Sequence, residues 1–199
     1  VAPIERSVVA LQLAQEPAAD RLLSESPLAL LIGMVLDQQV PMERAFAAPL
    51  ELQKRMGKKL TAKAIATADP EEFVALFSRT HALHRFPGSM AVRVQRVCQV
   101  LVDEWGGKPE RIWETASSGG ELIERLEALP GFGKQKARIF AALLGKQLGC
   151  TPKGWREAAK PYGDAGTTMS IADITDAASF VKVRETKRAA KAAHRAAAS

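Results

Sequence analysis

Cysteine is scarce in this chain: its 199 residues hold two, Cys98 and Cys150. Two thiols cannot hold a four-cysteine iron–sulfur cluster, and their spacing makes neither a CxxC pair nor a disulfide framework. A reducing, cytoplasmic setting is therefore expected. Histidine is also sparse, with three residues. His81 and His84 stand at i, i+3 without a third ligand, so they read as surface residues, or as a phosphate contact beside Arg85, rather than a metal site. No metal and no cofactor are expected. Long apolar runs are missing too; none reaches about eighteen residues, so no membrane span is expected. The first residues carry Glu5 and show no cationic stretch leading into an apolar one, so no secretory leader is expected.

What is present is an ordinary globular composition, 47% hydrophobic and 25% charged. The length suits one generous domain, or two small ones sharing a core. The net charge of +6 is unevenly placed. Residues 1–133 hold 15 Lys/Arg against 17 Asp/Glu, whereas residues 134–199 hold 13 against 5. The whole positive surplus lies in the last third, a distribution that suits a polyanion on one side of the molecule or a solvated basic tail.

Strict apolar/polar alternation is rare, and helical periodicity is everywhere. Val94, Val97, Cys98, Leu101 and Val102 share one helix face. Asp69-Pro70-Glu71-Glu72 is a cap, a first-turn proline and two acids suited to the helix dipole; the helix it opens is expected to bury Phe73, Val74, Leu76 and Phe77. Pro27 opens the apolar run Leu28–Leu36, Pro41 opens another helix, and further helices are predicted at 121–129 and 134–148. The fold class is all-α. From Asp173, as N-cap, one long helix is expected, grading past Arg184 into an Ala/Lys/Arg-rich tail, 184–199, that frays without a partner.

The segment Leu129-Pro-Gly-Phe-Gly-Lys-Gln-Lys-Ala137 joins two of these helices through a tight turn. Gly131 and Gly133 can adopt positive φ and allow close approach of another backbone. Unpaired N–H groups at the turn and helix start form a site for a phosphate diester, with Lys134, Lys136 and Arg138 adding charge. Such a site holds nucleic acid without reading its sequence. Phe132 is expected to pack inward.

These residues resemble the LPGxGxxxA hairpin of the helix-hairpin-helix DNA glycosylases, the endonuclease III-like superfamily. Pro27–Val40 resembles that family's segment ending in a serine–glutamine motif, and Leu83–Gly107 its helix ending in Gly-Gly. The resemblance covers roughly residues 25–148. It implies a two-lobed helical bundle: a six-helix barrel lobe at about 27–133, a second lobe from 1–26 plus 134–183, and DNA in the cleft between them. It implies a monomeric partner of double-stranded, damaged DNA in base excision repair, associated with the nucleoid. Gln38 and Gln39 stand where a family glutamine fills the gap left by a flipped base, Gln39 being the better candidate. The DNA-binding set is then Gly131, Gly133, Lys134, Gln135, Lys136, Gln38, Gln39 and Trp155. Trp155 reads equally as a stacking platform or as core.

Two departures limit the chemistry. The family's Schiff-base lysine would sit at Gln135, so strand cleavage is not expected. The family's aspartate lies about eighteen residues further on, which lands here on Lys153. Asp164 and Asp37 are the replacement catalytic candidates, in that order, with Glu157 a third. Met34 stands where adenine glycosylases carry an acid, so that specificity is not expected. The reading is a DNA glycosylase without lyase activity, or alternatively a catalytically silent binder of damaged or distorted DNA. A helical interaction protein with a solubilising tail is disfavoured by the hairpin and the charge split.

Overall fold

The computed structural model describes residues 10–197. Expectations for residues 1–9, which include the leader and part of the second lobe, and for residues 198–199 of the tail lie outside the described residues. The architecture is all-α, as the periodicity predicts. Among the described residues eleven α-helices follow in order: α1 (Pro17–Glu25), α2 (Pro27–Leu36), α3 (Met42–Met56), α4 (Ala62–Ala66), α5 (Pro70–Ser78), α6 (Pro87–Trp105), α7 (Glu110–Glu114), α8 (Gly119–Glu127), α9 (Lys134–Gln147), α10 (Trp155–Ala158) and α11 (Ala177–Ala197), with one 3₁₀ turn at Ile171–Asp173. Among the described residues, β pairing is limited to an isolated bridge between Ser118 and Lys153.

Helix α2 lies at the centre. Every residue from Leu28 to Leu36 is buried, as expected of a helix that is apolar on all sides. Ser26 caps it by accepting from the Ala29 N–H. Gly33 lets α3 approach: a Cβ there would stand 2.6 Å from the Phe46 ring. Helix α6 turns Met90, Ala91, Val94, Val97, Cys98 and Leu101 inward and packs on α2, α4 and α5. Helix α5 starts as the sequence predicts, with the Asp69 carboxylate accepting from Glu71 and Glu72. It buries Phe73 and Phe77, while Val74 and Leu76 are half-buried at the edge of the core. The buried side chains form one continuous core from Leu11 to Val183.

The C-terminal segment departs from expectation. Asp173 does not cap a long helix. It closes the 3₁₀ turn in a capping box with Ser170, and its buried carboxylate binds Lys146 of α9 at 2.6 Å. The chain then passes Ile174 in extended conformation, and α11 begins three residues late, with Asp176 accepting from the Ser179 N–H at 2.7 Å. Asp173 has too many other partners to serve as a cap: the Thr167 hydroxyl and the N–H groups of Met169 and Ser170 also donate to it. The tail expected to fray is helical through Ala197.

Candidate nucleic-acid interface

Helices α8 and α9 form the two arms of the hairpin. Leu129 closes the first arm, and the Phe132 N–H returns to the Leu129 carbonyl at 3.0 Å. Phe132 is buried against Phe140, ring centres 6.2 Å apart, which packs the turn onto α9. Gly131 has φ +84°, and a Cβ there would collide with the Arg93 side chain. Gly133 differs from the sequence expectation. Its φ is −90° and its ψ 173°, extended backbone open to any residue, because it serves as the N-cap of α9. A Cβ at Gly133 would meet nothing within 4 Å. The fold therefore does not require a glycine there; what a bare Cα leaves is room outside the protein. No side chain caps α9, so the N–H groups of its first turn remain available at the positive end of the helix dipole.

The three side chains that follow point in different directions, as about 100° per residue dictates. Lys134 and Gln135 are exposed. The Gln135 amide donates to the Tyr162 hydroxyl at 2.8 Å, which brings the loop carrying Asp164 beside the hairpin. Lys136 turns inward instead. Its ammonium donates to the Val35 carbonyl at 3.2 Å and lies 5.8 Å from the Phe132 ring centre. Burial lowers its pKa to about 8, against the opposing pull of Asp37. Lys136 is thus turned away from the place where the sequence expects a phosphate; it satisfies a carbonyl at the C-terminal end of α2.

That end of α2 carries the glutamine pair. The Asp37 N–H caps the helix on Gly33, and the Gln38 N–H bonds back to the Leu36 carbonyl at 2.7 Å. With φ −73° and ψ 70°, Asp37 is the centre of an inverse γ-turn. The Gln38 side chain lies against Met90, its amide 3.4 Å from the sulfur. Gln39 is exposed and has φ +56°. The turn therefore tucks one amide in and leaves the other outside.

His84 overturns its surface reading. It is 1% exposed. The Phe86 N–H donates to its Nδ1 at 3.0 Å, so the proton sits on Nε2, which donates to the Gln38 carbonyl at 2.9 Å. Burial lowers its pKa. The neighbouring Phe86 is 42% exposed, with the Arg85 guanidinium 5.3 Å above its ring.

Trp155 is core. It is 8% exposed, and its ring covers Gly145 of α9 so closely that a Cβ there would overlap it. Stacking on a base is closed to it, because that face is already packed. The three acids sit differently. Asp37 is half-buried at the α2 end. Asp164 is half-buried in a loop tied by Thr167 to its carbonyl and to Asp173. Glu157 is on the surface, its side chain 77% exposed and paired with Lys160. Tyr162, Arg93 and Phe86 stand out in no motif of the sequence, and His84 stands out there only beside His81, as a surface residue or a phosphate contact. Tyr162 alone carried a signal, being the single tyrosine of the chain, two positions before Asp164.

A cavity of about 660 Å³ opens at the opposite ends of α2 and α9, between Pro27, Trp113 and Cys150, away from the hairpin. Among the described residues no group of three or more His, Cys, Asp or Glu could hold a metal ion, and no helix is long and apolar enough to cross a membrane.

Comparison with curated proteins and with solved structures returned no match. The chain does match the family model of the HhH-GPD superfamily base excision DNA repair proteins over residues 32–197, a span that takes in the glutamine turn, the hairpin and α11. With that match added to the hairpin geometry, the chain belongs to the HhH-GPD superfamily of base excision DNA repair proteins.

Proposed function

We propose that this DNA repair protein is a monofunctional DNA glycosylase: it hydrolyses the bond between a damaged base and its deoxyribose and leaves the strand uncut. The observation that carries the reading is the identity and setting of Gln135. The family's amine nucleophile would stand there, and an amide held by Tyr162 stands instead. An amide forms no Schiff base, so water must be the nucleophile.

In this reading the two lobes divide at about 27–133 and at the flanking segments through 183, with damaged duplex DNA between them and one protein chain per site. The exposed N–H groups at Gly133 and Lys134 bind a phosphate. Gln39 enters the duplex, where its flat amide stacks and bonds to the orphaned base. The base leaves as the C1′–N bond breaks, positive charge develops on the sugar, and a carboxylate facing it lowers the barrier. Water then adds to C1′, and its proton passes to the departing base. Asp164 is the preferred carboxylate, because the Tyr162–Gln135 bond holds its loop beside the hairpin. Asp37 is the second candidate. The nucleoid of the cytoplasm is the setting this activity implies.

One observation favours the silent-binder reading. The position expected for the family's acid is Lys153, which is committed to a backbone bridge with Ser118. A panel of duplexes carrying different base lesions, scored separately for retention and for abasic-site formation, decides between the two. Abasic sites on any lesion support the glycosylase. Retention without them across the panel supports the binder.

A further inference from the structure

The Gln38–Gln39 turn has little holding it internally. Asp37 and Gln38 make one bond each to the end of α2, and Gln39 sits in the left-handed region that non-glycine residues seldom adopt. Two contacts fix the turn from outside: the Gln38 amide on the Met90 sulfur and, on the backbone itself, a buried imidazole 46 residues away in sequence. His84 uses both ring nitrogens: one accepts from the backbone of Phe86, the other donates to the carbonyl of Gln38. It therefore joins the glutamine turn to the start of α6, which carries the exposed Phe86.

We propose that His84 is a positioning residue for duplex insertion: its neutral ring, bonded between the Phe86 N–H and the Gln38 carbonyl, holds Gln39 in the projecting conformation. The proposal rests on the reading of Gln39 as the inserting residue. It gives a reason for a histidine at this place. A neutral imidazole is a donor at one end and an acceptor at the other, which is what a carbonyl and an N–H facing each other across a gap require. A protonated ring would be a donor at both ends and would set its Nδ1–H against the Phe86 N–H. The charged groups acting on the ring are Arg44 of α3, whose guanidinium donates to the Ala82 carbonyl, and Lys136 of α9. Both are cations, and both disfavour a proton on it.

The test uses a duplex with a tetrahydrofuran abasic analogue opposite 2-aminopurine, whose fluorescence reports insertion beside the orphaned base. The parent protein should change that fluorescence, and Gln39→Ala should abolish the change; a change that survives Gln39→Ala overturns the insertion reading itself. With that reading standing, His84→Leu should weaken binding to the abasic duplex about fivefold or more, the scale of one lost hydrogen bond, and leave affinity for undamaged duplex unaltered. His84→Gln, which can still donate to the Gln38 carbonyl, should recover part of the loss. A full insertion signal in His84→Leu, or an equal loss on both duplexes, overturns the role of His84 and leaves that of Gln39 in place. Nitrogen NMR of the unaltered protein gives an independent check: a ring protonated on Nε2 and bare at Nδ1 is expected, and the opposite tautomer overturns the proposal.

Discussion

The ammonium of Lys136 donates to the carbonyl of Val35, 101 residues earlier in the chain. One bond thus joins the first turn of α9, in the hairpin, to the last turn of α2, which leads into the glutamine pair. The two halves of the proposed DNA interface share a side chain that touches neither a phosphate nor a base in the proposed complex.

That placement has a pH signature. The pKa of Lys136 falls to about 8 in the folded protein, below the ordinary lysine value of about 10.4. Between these two values the unfolded chain binds more protons than the folded one, so stability contributed by this site rises with pH. Lys136→Met removes the titration. The melting temperature of the parent relative to Lys136→Met should climb between about pH 8 and pH 10. A constant difference across that window would place the amine in water.

The two hairpin glycines should fail in different assays. Gly133→Asp meets no neighbour inside the protein, so the fold should survive, while bulk and negative charge at the phosphate site should cost at least ~2 kcal/mol of DNA affinity. Gly131→Ala should destabilise the fold by about 1 kcal/mol or more, because alanine resists positive φ and Arg93 occupies the space. Melting curves and anisotropy titrations on both variants separate the two roles; unaltered duplex binding by Gly133→Asp would refute the phosphate site.

Borohydride should trap no covalent adduct between the parent protein and an abasic duplex. Lys134 is exposed and Lys136 is turned toward α2, so neither amine occupies the place of Gln135. A trapped adduct that disappears in one of the two lysine variants would identify the amine that reaches the sugar.

Each carboxylate can be neutralised singly, as Asp164→Asn, Asp37→Asn and Glu157→Gln, on a substrate the parent processes. Loss of about 100-fold or more in base release with binding retained is expected for Asp164→Asn, the scale of removing one charge-stabilising group. Glu157→Gln should be neutral, since that side chain faces solvent beside Lys160.

Removing residues 184–199 deletes five Lys/Arg and one Glu. Non-specific duplex affinity should drop, and the salt slope should flatten by roughly one unit for each phosphate the shortened chain no longer neutralises. An unchanged slope would make the segment a bystander.

Local signals in the sequence located the hairpin, the apolar helix opened by Pro27 and the cap at Asp69, because each depends on neighbours within a few positions. The features it did not disclose depend on distant partners. Gly133 is extended because it caps α9, although its neighbour Gly131 does take positive φ. His84 is buried because two turns 46 residues apart meet on it. Trp155 is core because Gly145 leaves a hollow for its ring. The direction of Lys136 follows from where α2 ends, which helix periodicity alone does not reveal. The candidate acids share this difficulty: Asp164 comes to the hairpin through Tyr162, whose bond to Gln135 spans 27 positions.

From Lys187 to Ala197 every residue of α11 is exposed, so this stretch draws little on core burial for its helix and much on propensity. Alanine, lysine and arginine are among the best helix formers, but Lys187, Arg188, Lys191 and Arg195 recur at spacings of three and four, where like charges repel along one face. A polyanion laid along that face removes the repulsion and leaves the propensity. Helicity of the segment and occupancy by nucleic acid are then thermodynamically linked, each raising the other. Far-ultraviolet circular dichroism at increasing salt, with and without a duplex, would read that linkage directly.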